Sequence, residues 1–321
     1  MKKSKLITLF LGSIILLIIL PFFGQQLVSI SDVFSQNELQ YVFVHYRLPR
    51  VIISFLAGAM LALGGLLFQS IFANVLATPY TLGISSAASL GAILAIYLNL
   101  SFSLGIVDSP VLLAVLFSMI FVIILYLISR QQKIFETSKI LLLGIALNFL
   151  CTSIVLYLQF RLDYLNSFKI MHWLVGSMQN ISYEVALLML VVAIICLPFI
   201  FLKRQELDLL SLGEEFALSK GVEVKQVQWL FIIISSLLVG TVTAFLGPIA
   251  FVGLIIPNIA RMWLGAKHSV LIIASFLLGG MMLSLADLFS RVVFAPVEMP
   301  VGIFTAFLGA LFFLYMVLQK K

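Results

Sequence analysis

The chain has 321 residues, 63% of them hydrophobic and 10% charged, with a mean hydropathy of +1.21 and a formal net charge of +6. So few polar groups cannot shield such a core from water, which excludes a soluble globular domain and makes lipid the solvent. The surplus of Lys and Arg is then mostly a membrane-topology signature and implies no nucleic acid.

The N-terminal MKKSK, followed by LITLFLGSIILLIILPFF, has the look of a secretory signal. Its apolar stretch is longer than a signal core, and no small-x-small cleavage site precedes GQQ, so a retained first span near 6–23 is expected. Residues 24–46 form a loop polar enough for water, with room for a short surface helix. Apolar runs of about 18 to 22 residues then recur, roughly the length that crosses the hydrocarbon. They lie near 51–72, 85–100, 111–129, 139–158, 184–202, 227–246, 249–264, 269–290 and 300–318. The runs at 85–100 and 249–264 are the shortest. Continuous runs call for helices, since barrel strands would alternate over about ten residues. The expected fold is a single all-α membrane domain, 1–321, of about ten transmembrane helices.

Small residues punctuate the spans: Gly58, Ala62 and Gly65 in the second, Gly83, Ala87 and Gly91 opening the third. Such faces let helices approach closely. Cys151 and Cys196 both fall inside spans, where neither a disulfide nor a two-cysteine metal site is expected.

With ten spans both termini share one side, together with the loops near 130–139, 203–226 and 261–268. That side collects fourteen of the 19 Lys and Arg residues, leaving Arg47, Arg50, Arg161, Lys169 and Arg291 opposite. The positive-inside bias makes the richer side cytoplasmic. It also carries the one long charged island, KRQELDLLSLGEEFALSKGVEVK at 203–225, with nine of the chain's 32 charged side chains. Within it Ser211–Gly221 suggests a short helix bracketed by Gly213, which permits a turn, and Gly221, a C-cap. Glu214 and Glu215 at its start and Lys220 at its end suit the helix dipole. Such a helix fits docking into a soluble partner, and equally a solvated connector.

Catalytic signatures are missing: no G-x-x-x-x-G-K-[ST], H-E-x-x-H or G-x-S-x-G occurs. His45, His172 and His268 fall in three separate loops, so no metal cluster is expected. Asp287, near the outer end of the ninth span, is the clearest ionisable group within the spans. Ion-driven carriers hold carboxylates at mid-membrane, and an intramembrane enzyme needs a catalytic cluster on facing spans. Mid-membrane carboxylates are scarce and no such cluster is visible, so energy for any transport is expected to enter from elsewhere.

Five segments carry a specific resemblance: RLPRVIISFLAGAMLALGGLLFQSIFANVLATPYTLGISS at 47–86, WLVGSM at 173–178, LDLLSLGEEFALSKGV in the island, GPIAFVGLIIPNIARMWLG at 247–265, and PVEMPVGIFTAFLGALFFLYMVL at 296–318. In this order they resemble the iron-siderophore and cobalamin (FecCD-type) permeases of ABC importers. Ala250, Asn258 and Ala266-Lys267 depart from the family's usual Gly, His and Pro-Asp. The resemblance implies a type II importer permease fold in the bacterial cytoplasmic membrane, with both termini cytoplasmic. It implies a second permease subunit, two cytoplasmic ATPases that use ATP and Mg, and an extracytoplasmic binding protein, with no cofactor on this chain. A ferric siderophore is the expected cargo, with cobalamin and haem as alternatives.

Residue by residue, Gly213, Glu214, Glu215 and Gly221 match the segment that docks on the ATPase. Arg47, Arg50 and Arg291 match outward arginines that pair with carboxylates on the binding protein. Asn74 and Leu76, with Thr137 and Ser138, match inner loops that narrow the exit. The residues themselves add that Arg47 and Arg50 stand outside against the charge bias. Arg50 also sits at the start of a span, where the dipole disfavours a cation, with Pro49 holding Leu48 extended and starting the helix. Arg suits bidentate capture of a carboxylate, and lipid headgroups would also satisfy both side chains. Asn74 in ANVLATP equally suits capping or loop satisfaction.

Overall fold

The computed structural model describes residues 2–319 except 25, 36, 106, 131–136, 179–180, 294 and 296. Helix α1 (Lys2–Ile19) continues through a 3-10 turn at Leu20–Phe22. In the loop that follows, α2 (Ile30–Phe34) is closed by a capping box: the Ser29 hydroxyl accepts from the Asp32 N–H, and the Asp32 carboxylate accepts from the Ser29 N–H. Helix α3 (Glu38–Val42) then passes through one π turn, Phe43–Arg47, into α4 (Leu48–Ile71).

That junction corrects the sequence expectation. Leu48 is helical, with φ −62° and ψ −52°, and Pro49 starts nothing. The wider π turn just ahead accommodates a residue with no N–H to give, so the helical path runs unbroken over Glu38–Ile71. Arg50 therefore lies inside a helix, and the dipole no longer bears on its position.

The remaining elements are α5 (Pro79–Leu82), α6 (Ile84–Tyr97), a small hairpin of β1 (Ser103–Leu104) and β2 (Val107–Asp108), α7 (Ser109–Arg130), α8 (Thr137–Arg161), α9 (Tyr164–Leu174), α10 (Tyr183–Leu202), α11 (Arg204–Leu210), α12 (Glu214–Ser219), α13 (Val224–Leu246), α14 (Val252–Leu264), α15 (His268–Val292) and α16 (Val301–Gln319). Among the described residues seven helical stretches are long and apolar enough to cross a membrane, and three shorter ones lie at Ile84–Tyr97, Val252–Leu264 and Val301–Tyr315. These ten match the expected segments in order.

At 14 and 13 residues, α6 and α14 are only about 20 Å long, short of the roughly 30 Å hydrocarbon. Each is entered through irregular backbone, α5 with its break at Gly83 and the segment 247–251. Non-helical backbone at this depth is tolerable only when protein satisfies it. The Ser177 N–H donates to Leu246 O at 2.8 Å and the Gly302 N–H to Gly176 O at 3.1 Å, which brings the α9–α10 connection and the start of α16 together near segment 247–251.

Helix α4 lies at the centre, with 94% of its apolar window buried. Lipid gives apolar helices no drive to associate, so close backbone contact must supply it. A Cβ on Gly58 would stand 2.1 Å from Gly279 O on α15, and one on Gly65 only 1.8 Å from Gly253 O on α14. The small-residue face of the second span is thus where its neighbours seat.

Candidate functional site

Polar side chains gather at the two ends of α4. At the charged end, α11 and α12 form a compact unit against the bundle. Gly213 has φ +116° and Gly221 has φ +80°, conformations that L side chains rarely adopt, so the two glycines set the bounds of α12. The helix closes in a Schellman motif: the Val222 N–H donates to Ala217 O at 3.1 Å and the Gly221 N–H to Leu218 O at 2.9 Å. Ala217 is buried beneath it, while Glu215 and Phe216 face outward.

Glu214 and Glu215, adjacent in sequence, do different things. Glu215 is exposed. Glu214 turns inward and accepts from Gln228 Nε2 at 2.9 Å, and the same nitrogen donates to Ile71 O at 3.1 Å in the last turn of α4. A second connection starts on α11. Asp208 Oδ1 accepts from the His268 backbone N–H at 2.8 Å and from its Nδ1 at 2.7 Å. A carboxylate only accepts, so Nδ1 carries the proton. His268 Nε2 then lies 2.6 Å from Ser70 Oγ, again in the last turn of α4. His268 is the first residue of α15 and buried, which corrects its placement in a loop.

Gln69 completes that turn. Pro257 within α14 leaves Gly253 O without its usual i+4 donor. Gln69 Nε2 donates there at 3.3 Å and to Leu254 O at 3.2 Å, while Arg261 donates to Gln69 Oε1. Just beyond, Asn74 Oδ1 accepts from the Leu76 N–H at 2.9 Å, so Asn74 satisfies its own loop; the cap of α5 is Thr78. Asn74 and Leu76 are both exposed. Thr137 and Ser138 open α8, and their side chains lie outside the described residues.

At the opposite end Arg50, Asp287, Arg291 and Glu298 form one ion cluster. Arg50 holds both oxygens of Asp287: Nε donates to Oδ1 at 3.0 Å and to Oδ2 at 3.2 Å, Nη2 lies 3.0 Å from Oδ1, and Nη1 reaches Glu298 at 2.9 Å. Arg291 Nε meets Asp287 Oδ2 at 3.2 Å. Asp287 is 1% exposed, and the side chains of Arg50 and Arg291 are 12% and 7% exposed, whereas Glu298 is half-exposed. Arg47 stands apart from the carboxylates. It donates to Gln26 O at 2.7 Å, Phe22 O at 3.4 Å and Pro21 O at 3.5 Å, tying the end of α1 to the π turn.

The three outward arginines are therefore together at one end but held by their own chain rather than presented to water. The sequence reading missed Asp208, Gln228, Ser70 and Glu298 altogether. Gln69 and Gln228 had left a signal, as amides inside apolar runs where polar groups require partners.

A profile of the FecCD transport family matches residues 10–319. The vitamin B12 import system permease protein BtuC of Vibrio cholerae is 34% identical over 318 residues, covering 98% of this chain and 93% of the relative. The Fe(3+) dicitrate transport system permease protein FecD of Escherichia coli is 32% identical over 293 residues, covering 91% and 90%. A solved structure described as an inward-facing conformation of a "metal-chelate type ABC transporter" superposes with a TM-score of 0.87 at 31% identity, covering 99% of this chain and all of that one. A family match over nearly the whole length, on a fold with seven long and three shorter apolar helices among the described residues, leaves one conclusion: the chain belongs to the FecCD transport family of ABC-transporter permeases.

Proposed function

We propose that this chain is the membrane-spanning subunit of an ATP-driven importer for a metal chelate, a ferric siderophore in the first instance. The observation that carries the reading is α12: a capped helix with Glu215 in water, seated at the charged end and bonded back to α4. Two such permease subunits, two ATPases and a delivery protein make up the working assembly, with the charged end and both termini in the cytoplasm. ATP binding in the partner moves the Gly213–Gly221 helix, which tilts the packed spans and alternates access. Asn74 and Leu76, with Thr137 and Ser138, narrow the exit.

Delivery takes place at the arginine end through Arg47, Arg50 and Arg291. Arg50 is the one whose partner is exchangeable, because Glu298 is half in water and an incoming carboxylate can replace it. One cavity, about 210 Å³ and lined by Leu61, Thr78, Ser85, Val239 and Phe251, lies between α4, α5 and α13. In this reading the chelate passes along the axis between the two subunits, which suits cobalamin and haem as well as siderophores.

The test is co-expression with a family ATPase, purification by a tag on this chain, and ATP hydrolysis in lipid. Glu215→Arg abolishes copurification if α12 is the docking helix, and the Glu214→Arg, Glu215→Arg double variant does so at least as fully. A wild-type chain that retains no family ATPase sinks the importer reading. Uptake of ferric citrate, haemin and cyanocobalamin into proteoliposomes then separates the cargo classes.

A further inference from the structure

Three consecutive residues of α4 each meet a different helix: Gln69 the carbonyls of α14, Ser70 the imidazole of His268 on α15, and Ile71 the amide of Gln228 on α13. Two of the three intermediaries are in turn held by the α11–α12 unit, His268 by Asp208 and Gln228 by Glu214. We infer that this last turn of α4 is where motion of the α11–α12 unit enters the membrane helices. Asp208–His268–Ser70 and Glu214–Gln228–Ile71 are its two connections, and Asp208, His268 and Gln228 are positioning residues. The inference rests on the importer reading and adds to it a route of named atoms.

The chemistry favours a transmitting role over plain cohesion. Stability alone is served as well by apolar side chains of the same size, since buried polar pairs are costly to desolvate. Gln228 is buried, and its Oε1 has no hydrogen-bond partner among the described residues. A packing residue would not retain that orphan acceptor; an amide kept for its Nε2, which joins two elements at once, would. Both connections are also short and directional. Displacement of α12 stretches Glu214–Gln228, displacement of α11 stretches Asp208–His268, and both converge on neighbouring residues. The Asn74–Leu76 loop begins three residues after Ile71, so the turn that receives the motion leads directly into the proposed exit.

Hydrogen–deuterium exchange on the ATPase-bound complex in lipid nanodiscs tests this without a cargo. In wild type, trapping with ATP and vanadate changes exchange over both 211–221 and 68–76. In an Asp208→Ala, Gln228→Ala variant, 211–221 still responds, and the nucleotide-dependent change over 68–76 falls by roughly fivefold or more, the effect expected for one to two hydrogen bonds. Asp208→Asn in place of Asp208→Ala in that variant restores part of the response, because an amide oxygen can still accept both His268 N–H groups while the Gln228 connection stays broken. A purely structural role raises exchange over 68–76 equally in both nucleotide states and leaves the difference intact, which overturns the inference. Ser70→Ala, which removes one hydroxyl, repeats the test if the double variant does not assemble. A wild-type complex with no response over 211–221 is a different failure: it sinks the importer reading itself.

Discussion

Asp287 offers the sharpest energetic test, because removing it unbalances a buried cluster. Arg50, Arg291, Asp287 and Glu298 sum to zero charge, and only Glu298 is substantially in water. Asp287→Ala leaves two guanidinium groups with a single half-exposed carboxylate. Breaking a buried pair by deleting one partner costs about 3–5 kcal/mol, since the remaining charge stays desolvated. For a chain of this size each kcal/mol lowers the unfolding midpoint by roughly 2 °C, so a drop of about 6–10 °C is expected. Glu298→Ala removes an exposed partner worth at most about 1 kcal/mol and is expected to move the midpoint by roughly 2 °C or less. The assay is thermal unfolding of nanodisc-embedded protein followed by tryptophan fluorescence, at one fixed scan rate because unfolding of such proteins is irreversible. Adding Arg291→Leu to Asp287→Ala removes one uncompensated cation, so the double variant should be more stable than Asp287→Ala alone. If Asp287→Ala costs no more than Glu298→Ala, the cluster is not electrostatically closed and the reasoning is wrong.

Two further substitutions probe backbone contacts. Gly65→Ala places a methyl 1.8 Å from a carbonyl oxygen of α14, where both parties are backbone and neither can swing aside. The helices must part, at a cost above the usual 1–3 kcal/mol or so of overpacking, and size-exclusion chromatography should show loss of monodisperse protein. Gly221→Ala meets nothing within 4 Å, so its penalty comes from the positive φ alone, about 1–2 kcal/mol. Faster hydrogen exchange should then be confined to 214–222, and Gly221→Asn should show less of it.

What the sequence disclosed and what it hid divide along physical lines. The ten spans were legible because lipid imposes a length on every apolar run, and α12 because Gly213 and Gly221 mark its bounds locally. Pro49 misled for the same local reason: before a helix it is a start signal, and only the three-dimensional path shows the π turn that lets a helix pass through it. Asp208 lies 60 residues from His268, and Ser70 lies 198 from it. Each alone is an unremarkable polar residue, and no periodicity links them. Arg50 stood out as a cation on the unfavoured side, but its partner Asp287 is 237 residues away, so its bond within the chain was not visible from the sequence.

Helices α4 and α15 meet at four levels: Arg50 with Asp287, Ser54 Oγ with Ser284 Oγ at 3.1 Å, Gly58 against Gly279, and Ser70 with His268. In lipid these contacts do what hydrophobic burial does in water, since apolar side chains gain little by choosing a helix over a lipid tail. Sliding one helix along the other would break directional bonds at three levels and drive backbone into backbone at the fourth. Tilting the pair as a body breaks none of them. A push on Ser70 through His268 therefore moves α4 and α15 together, and the contacts that must give are those of α4 with α14 and α13 at Gly65, Gln69 and Ile71. The motion carries Arg50, and with it Glu298, at the far end. The charged end and the arginine end are in this sense one mechanical unit, so occupancy of either should bias the other reciprocally.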